Sequence, residues 1–317
     1  MKLGFVFPGQ GSQSVGMLSE LAAEYPVVKE TFTEASRKLE VDLWEISQQG
    51  PTEKLNQTQL TQPAMLAAGV AVWRVWQQYV ALHDLQPIVF AGHSLGEYTA
   101  LVCAGSLDLA SAAQLVSDRG LYMQDAAPVG EGTMAAILGL DDNKVISACE
   151  QAAQTDVVAA VNFNSPGQVV IAGQVEAVKR AMDICKQSGA KRVLELPVSV
   201  PSHCQLMDPA AHQLAERLQQ ITINPPRISI ISNVDVSTVS ESKEIKDLLT
   251  RQLCNPVRWV ETIEKMLDDG VSDIVECGPG KVLTGLTKRI NKSVNSYAVF
   301  SPDSLQKTVD ALKTKAG

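Results

Sequence analysis

Residues 88–98 read IVFAGHSLGEY, and they set the α/β character of this chain. Residues 88–91 are apolar or small and predict a short buried strand, whereas residues 98–102 have the spacing of a helix. Between them, residues 92–96 match the pattern G-x-S-x-G, in which a serine lies on a sharp turn from strand to helix. The N-terminus of the following helix presents backbone N–H groups to a developing oxyanion. The segment therefore predicts a nucleophile elbow with Ser94 as the nucleophile.

The composition of the chain limits the classes of function. It has 317 residues, of which 45% are hydrophobic, enough for one large domain or a large domain with a smaller partner. Its net charge of −8 argues against general nucleic-acid binding. No apolar run approaches the length of a membrane span or of a signal peptide. We therefore expect neither a nucleic-acid partner nor a membrane partner, and a cytoplasmic location.

The cysteines predict no metal centre. The sequence has six cysteines without any C-x-x-C pair, so neither a zinc knuckle nor a redox dithiol is indicated. Several stand in apolar runs typical of small buried side chains in a reducing compartment. The six cysteines are Cys103, Cys149, Cys185, Cys204, Cys254 and Cys277.

The order of the predicted elements divides the chain into two domains. Residues 3–7 predict a first strand, and helical spacing predicts helices over residues 64–83 and 257–267. Residues 128–132 contain Pro, Gly, Glu and Gly, which is typical of a boundary. The pattern that follows has the order βαββαβ of a ferredoxin-like unit. We predict an α/β fold in which a hydrolase-like large domain with a mostly parallel sheet, residues 1–128 and 199–317, contains an inserted small ferredoxin-like domain, residues 129–198.

A serine hydroxyl needs a base, and four histidines are available. His93 adjoins Ser94 on a sharp turn, where neighbouring side chains point apart, so we expect it to pack or hydrogen-bond behind the elbow. His83 ends an apolar helix, where its side chain is suited to interact with the negative end of the helix dipole. His212 has the setting of a surface residue. His203 follows an extended segment, where loops hold catalytic groups, and is the predicted base.

Three features stay open on the residues alone. Hydrolase-like folds place an acid between the serine and the histidine, but no aspartate here follows a clear strand, so a backbone carbonyl or amide is the alternative partner. Arg119 is either a solvated charge on an amphipathic helix or a clamp for a carboxylate. The loop at residues 8–13 is either an ordinary turn or a ligand loop at the carboxyl edge of a sheet.

Seven segments together resemble one family, the malonyl-CoA:acyl carrier protein transacylases, which load acyl groups in bacterial type II fatty acid synthesis. They follow the order of that family over nearly the whole chain, and the ordered set is far more specific than any one of them. They are FPGQGSQ at 7–13, GHSLGE at 92–97, RG at 119–120, NFNSP at 162–166, VPSH at 200–203, QLCNPV at 252–257 and ECGPG at 276–280.

The resemblance implies roles for the open features. Ser94 would be the nucleophile and His203 its base, oriented by a backbone carbonyl near Gln252. The backbone N–H groups of Gln10 and Leu95 would form the oxyanion hole.

Arg119, in this family, would pair with the free carboxylate of a malonyl group. A neutral acyl chain cannot satisfy a buried guanidinium, so the arginine would select diacids. The tetrapeptide VPSH at 200–203 is similar to that of the malonyl-selective members.

The resemblance also implies a reaction. A malonyl group would pass from malonyl-CoA to the phosphopantetheine thiol of acyl carrier protein through a malonyl-serine ester, by a ping-pong mechanism that supplies fatty acid biosynthesis. No cofactor is expected, because the two carriers bring the thiols. A serine hydrolase, a polyketide loading enzyme for another extender and a non-catalytic carrier-binding protein are the alternatives.

An acidic carrier would be repelled at long range by a chain of net charge −8, so a local basic face is needed. The candidates are Lys186, Lys191, Arg192, Lys281, Lys288, Arg289 and Lys292.

Overall fold

The computed structural model describes residues 1–83, 85–128, 130–198 and 200–316. The strands are β1 Leu3–Phe7, β2 Pro87–Gly92, β3 Gly132–Leu138, β4 Val158–Ser165, β5 Gln168–Gln174, β6 Arg192–Glu195, β7 Ser229–Ile231, β8 Thr238–Val239, β9 Asp273–Cys277 and β10 Asn295–Val299. The helices are α1 Ser19–Glu24, α2 Val27–Ser36, α3 Leu43–Gln49, α4 Thr52–Leu55, α5 Thr58–His83, α6 Gly96–Cys103, α7 Leu109–Ala126, α8 Asp142–Ala153, α9 Val175–Gln187, α10 Asp208–Gln219, α11 Ser242–Gln252, α12 Trp259–Asp268, α13 Val282–Ile290 and α14 Pro302–Ala316.

The larger sheet has the strand order β10-β9-β1-β2-β7-β8. All its pairs are parallel except β7 with β8, so the prediction of an α/β fold with a mostly parallel sheet is confirmed. The register pairs Phe7 with Gly92, the last residues of β1 and β2. The loop after β1 therefore leaves the sheet beside the nucleophile elbow, at the edge where ligands bind in open α/β sheets.

An aromatic cluster joins this sheet to the long helix α5. Phe5 lies 5.3 Å and 5.1 Å, centroid to centroid, from Trp73 and Trp76, and Phe7 lies 5.3 Å from Phe90. The pairs are edge-to-face, which suits the ring quadrupoles and adds about 0.5–1.5 kcal/mol per pair beyond area burial. Because Phe7 and Phe90 stand just before the site loops, this packing anchors the base of the site.

The smaller sheet is antiparallel, with the order β4-β5-β3-β6. Its strands and the helices α8 and α9 alternate as βαββαβ, so the predicted ferredoxin-like order is confirmed. A separate hydrophobic cluster, which includes Ile137, Val169 and Ile171, lies between this sheet and its helices. The predicted boundary positions Val129 and Ser199 lie outside the described residues.

Two backbone hydrogen bonds tie the smaller sheet to the larger unit. Val257 donates its N–H to the carbonyl of Val161 over 2.8 Å, and Phe163 donates to the carbonyl of Val257 over 3.0 Å. This contact explains a wrong prediction: the helix expected to begin at Val257 begins at Trp259, because Val257 is extended and bridged to β4. The end of β4 is thereby brought towards the nucleophile elbow.

Pro63 lies inside α5, whereas the sequence predicted a helix that begins at Ala64. A proline lacks the N–H that would bind the carbonyl four residues earlier, here that of Gln59. The hydroxyl of Ser117 donates to this carbonyl over 3.0 Å instead. The helix therefore continues through Pro63 and starts at Thr58, six residues earlier than predicted.

The helices of the described part of the chain include none that combines the length and the apolar character needed to cross a lipid bilayer.

Substitution of Gly96 tests whether the elbow is as tightly packed as the structure indicates. A Cβ at this position would lie 2.0 Å from the carbonyl oxygen of Phe7, so Gly96→Ala is expected to lower the free energy of unfolding by about 2 kcal/mol or more. Gly285, an exposed helical glycine with nothing within 4 Å of its added Cβ, is the control. Gly285→Ala should raise the free energy of unfolding by about 0.5–1 kcal/mol. Urea denaturation measures both, and equal effects would contradict the packing argument.

Candidate active site

Ser94 lies on the turn between β2 and α6 with a φ of 51°, a left-handed conformation that is costly for a residue with a side chain. Asn233, fully buried after β7, holds this turn. Its Oδ1 accepts the N–H of Ser94 over 2.7 Å, and its Nδ2 donates to the carbonyl of Gly92 over 2.7 Å. The strained turn is therefore stabilised from both sides by one side chain.

His203 reaches Ser94 from beyond the smaller sheet. Its Nε2 lies 2.8 Å from the Oγ of Ser94, and its Nδ1 lies 2.8 Å from the backbone oxygen of Gln252. A carbonyl only accepts, so Nδ1 carries the proton and donates, which leaves the lone pair of Nε2 to accept from the serine hydroxyl.

Burial, and after it the positive charge of Arg119, lower the pKa of His203 to about 3. The imidazole is therefore neutral at physiological pH, the form that a base requires.

Arg119 is a buried cation, not the solvated helix charge that the sequence left open. Its side chain is 2% exposed. Its Nη1 donates to the Oε1 of Gln62 over 2.7 Å, and its Nη2 donates to the Oε1 of Gln252 over 3.2 Å and to the Oγ of Ser94 over 3.4 Å. Within the described residues, none of these bonds goes to a carboxylate, and the buried Nε has no hydrogen-bond partner.

Such a guanidinium is suited to bind an anion, because a buried charge is costly until it is paired. Since Nη2 already contacts Ser94, the anion would lie next to the hydroxyl of this serine.

Close helix packing sets the position of Arg119. A Cβ at Gly120 would lie 2.7 Å from the Cα of Gln59, so only glycine lets α7 approach α5 this closely. The approach brings the guanidinium within reach of Gln62, which lies one turn along α5.

The loop after β1 lies against the elbow. His93 donates its N–H to the carbonyl of Phe7 over 3.0 Å, and a Cβ at Gly9 would lie 2.5 Å from the carbonyl oxygen of His93. The backbone N–H groups of Gln10 and Leu95 donate to no acceptor in the described part of the chain. Free N–H groups beside a serine hydroxyl are what an oxyanion hole requires.

The other histidines lie away from this chemistry. The Nε2 of His93 is 2.8 Å from the Oδ1 of Asn164, and its ring centroid is 5.3 Å from that of Trp259, so the predicted packing behind the elbow is confirmed. His212 is exposed, as predicted. The side chain of His83 lies outside the described residues.

Sequence reasoning missed four polar residues of the site: Gln62, Glu97, Asn164 and Asn233. For three of them the sequence contains a signal that could have indicated a place in the site. Asn233 follows a strand of a parallel sheet at its carboxyl end, where site residues concentrate. Glu97 and Asn164 stand within segments of the family resemblance. Gln62 carries no sequence signal, because only the α5–α7 contact brings it to Arg119.

Among the described residues, no group of three or more His, Cys, Asp or Glu side chains is placed so that it could hold a metal ion.

The fold and the hydrogen-bonded Ser94–His203 pair are what is expected of the class of proteins that form ester intermediates on an activated serine. The chain belongs to the family described as the acyl transferase domain, whose model matches residues 4–313.

Relatives of known name support the same assignment. The chain is similar to the malonyl CoA-acyl carrier protein transacylase of Escherichia coli (strain K12), with 57% identity over 96% of this chain and 97% of the relative. The enzyme of that name from Haemophilus influenzae is 59% identical over 95% of this chain and 97% of its own length.

Solved structures agree. An acyl carrier protein S-malonyltransferase from Vibrio cholerae superimposes with a TM-score of 0.94 at 58% identity, over 97% of this chain and 100% of that chain. A malonyl-transacylase in complex with a type II polyketide-synthase acyl carrier protein superimposes with a TM-score of 0.96 at 53% identity, over 98% of this chain and 100% of that chain.

Asn233→Ala removes both hydrogen bonds that hold the elbow. Two buried backbone groups are then left unsatisfied, so the free energy of unfolding should fall by about 2 kcal/mol or more. Asn224→Ala, at an exposed asparagine, is the control and should change it by no more than about 0.5 kcal/mol. Urea denaturation of both variants measures the difference, and similar values would show that Asn233 does not hold the turn.

Proposed function

We propose that this chain is a malonyl-CoA:acyl carrier protein S-malonyltransferase, which moves the malonyl group from malonyl-CoA to the phosphopantetheine thiol of acyl carrier protein for fatty acid biosynthesis. The observation that carries this proposal is the buried guanidinium of Arg119, which has no ion-pair partner within the described residues and lies 3.4 Å from the Oγ of Ser94. A malonyl thioester has a free carboxylate one methylene away from the carbonyl that is attacked. The names of the similar proteins support the same substrate and carrier.

In the first half-reaction, the Oγ of Ser94 attacks the thioester carbonyl while its proton moves to the Nε2 of His203. The N–H groups of Gln10 and Leu95 stabilise the oxyanion of the tetrahedral intermediate. The C–S bond then breaks, and the imidazolium returns the proton to the sulfur of CoA. A malonyl ester of Ser94 remains.

In the second half-reaction, the carrier thiol gives its proton to His203 and attacks the ester carbonyl. The bond between carbon and the Oγ of Ser94 breaks, and the serine recovers the proton. No cofactor takes part, because both thiols come from the carriers.

The positive charge of Arg119 links the choice of acyl group to the strength of His203 as a base. It is one of the causes that lower the pKa of His203, after burial. A substrate carboxylate bound to the guanidinium offsets this charge and so increases the proton affinity of the imidazole. A neutral acyl chain leaves the charge uncompensated, which makes His203 a weaker base.

Hydrolysis is the competing function of a serine activated in this way. The guanidinium beside Ser94 favours a diacid substrate, and the carrier protein in the complex of a similar enzyme favours transfer. Analysis of the products separates the two: free malonate formed without a carrier at the rate of transfer would support a hydrolase.

We also propose that residues 129–198 form a domain inserted into a large domain of residues 1–128 and 199–317. A separate sheet and a separate hydrophobic cluster support this division.

The six cysteines are free thiols, which supports a cytoplasmic location.

We also propose that an acidic carrier docks on exposed basic residues of the larger and the smaller unit. Arg289 of α13 donates to the Oε1 of Gln168 on β5 over 2.6 Å, and so joins the larger unit to the smaller one. The other candidates, all exposed, are Lys186, Lys191, Arg192, Lys281, Lys288 and Lys292.

Intact-mass spectrometry after mixing with malonyl-CoA tests the covalent step. The native chain should gain the mass of one malonyl group and lose it when carrier protein with phosphopantetheine is added. Ser94→Ala should gain nothing, whereas Ser14→Ala, in the exposed loop after β1, should load like the native chain. Equal loading of the native chain and Ser94→Ala, or no loading of either, would refute the proposed function.

The ionisation of His203 gives a second prediction. Its folded pKa of about 3 lies below the ordinary value of 6.5, so neutral His203 contributes stability that is complete above pH 6.5 and is lost as the pH falls towards 3. NMR of labelled imidazoles, assigned with His203→Gln, should show no protonation of His203 between pH 8 and 5. A midpoint near 6.5 would contradict the buried, neutral base. Between pH 6.5 and 4, His203→Gln should lose less stability than the native chain.

A further inference from the structure

One residue, Gln252, is hydrogen-bonded to Arg119, Ser94 and His203. The side-chain Oε1 of Gln252 accepts from Arg119 over 3.2 Å, and its Nε2 donates to the backbone oxygen of Ser94 over 3.1 Å and to the Oε2 of Glu97 over 2.7 Å. Its backbone oxygen is the partner of His203. Gln252 is fully buried, so water does not compete for these contacts.

The direction of the Gln252 amide matters for the charge of Arg119. An amide has nearly the same shape when its oxygen and nitrogen exchange places. In the exchanged orientation the NH₂ group would face a guanidinium, which has only donors, and two donors repel. The side chain of Arg119 would then lose an acceptor and the position that it holds beside Ser94.

Glu97 is one of two acceptors that distinguish the two orientations, and the one that a substitution can remove. It is 3% exposed, and its Oε2 accepts both from the Nε2 of Gln252 and, over 3.2 Å, from the backbone N–H of Asn233. An amide oxygen turned towards this carboxyl oxygen would meet an acceptor. The backbone oxygen of Ser94 also accepts from the Gln252 amide nitrogen and favours the same orientation, but a backbone atom cannot be removed by substitution.

We propose that Glu97 is a positioning residue for acyl selection: it orients the amide of Gln252 so that the amide oxygen holds the guanidinium of Arg119 beside Ser94. Glu97 acts through Gln252 and is not the acid of a triad, because the Nδ1 of His203 is bonded to the backbone oxygen of Gln252. This inference rests on the proposed malonyl transfer, since it concerns how the malonyl carboxylate is chosen.

Protonation of Glu97 does not remove this role. Burial raises its pKa to about 7, against the opposing effects of the hydrogen bonds from Asn233 and Gln252 and of the charge of Arg119. A proton on Oε1 leaves Oε2 able to accept. A glutamine, whose side-chain oxygen also accepts, can therefore replace the glutamate, whereas methionine, of similar length but without an oxygen acceptor, cannot.

The test compares malonyl-CoA with acetyl-CoA as donors for loading of the serine. Glu97→Met should lower the ratio of the two kcat/KM values roughly 10- to 100-fold, as expected for one hydrogen bond to a charged group. Glu97→Gln should keep the ratio within about threefold of the native value. Retention of the native ratio by a folded Glu97→Met protein, or an equal loss of ratio in Glu97→Gln, would overturn the proposal.

Glu276 provides a matched control. It is a second fully buried glutamate that accepts two N–H groups, those of Leu283 and Thr284 at the start of α13. Glu276→Met therefore removes an equivalent acceptor elsewhere in the fold. It should lower stability but leave the malonyl-to-acetyl ratio unchanged, and an equal fall in the ratio would show that Glu97→Met acts through general destabilisation.

Gln252→Met keeps the proposal testable if Glu97→Met does not fold. It removes the side-chain amide but retains the backbone carbonyl that binds His203, and it should itself lower the malonyl-to-acetyl ratio about tenfold or more. In this background, Glu97→Met should have no further effect on the ratio, because Glu97 acts through the amide that is already missing; a further fall in the ratio, or an unchanged ratio in Gln252→Met alone, would overturn the proposal. Loading of the native chain in the same assay reports separately on the proposed function, which fails if the native chain does not accept malonyl groups.

Discussion

A buried positive charge governs the arrangement of this site. The guanidinium of Arg119 has lost its water, and within the described residues it is held by the neutral oxygens of Gln62, Gln252 and Ser94. Neutral acceptors satisfy hydrogen bonds but leave most of the charge uncompensated, which is unfavourable in a medium of low dielectric constant. The same charge helps to keep His203 neutral. In the proposed function, substrate binding and the strength of the base would therefore both depend on the side chain of Arg119.

The position of that charge depends on backbone contacts that allow no Cβ atom. A Cβ at Gly92 would lie 1.8 Å from the carbonyl carbon of Gly96, and one at Gly120 would meet the backbone of Gln59. The first contact makes the sharp turn that exposes Ser94, and the second brings α7 against α5. Asn233 then holds the strained turn, so the reacting atoms are held on rigid elements and the site is preorganised.

Local patterns were sufficient to predict most elements, and they failed where a distant segment changed the outcome. The strand–turn–helix of residues 88–102 was predicted because its apolar run and its glycines are local signals. The start of α5 was wrong, because Ser117, far along the chain, supplies the hydrogen bond that makes Pro63 tolerable. The start of α12 was wrong, because Val257 pairs with β4 of the smaller sheet. No local signal carries such contacts.

By itself, the sequence determined the α/β class, the βαββαβ order of the elements around the smaller sheet and the position of a serine on a sharp turn, because periodicity and glycine spacing express these features over short distances. It also indicated His203, from its position after an extended segment, and through the family resemblance it indicated the role of Arg119. Only the tertiary structure decided that Arg119 is buried and without an ion-pair partner in the described chain, and that Glu97, Gln252 and Asn233 connect it to the elbow. Burial and hydrogen-bond direction depend on what surrounds a residue in space, and residues 62, 97, 119, 233 and 252 meet only when the chain folds.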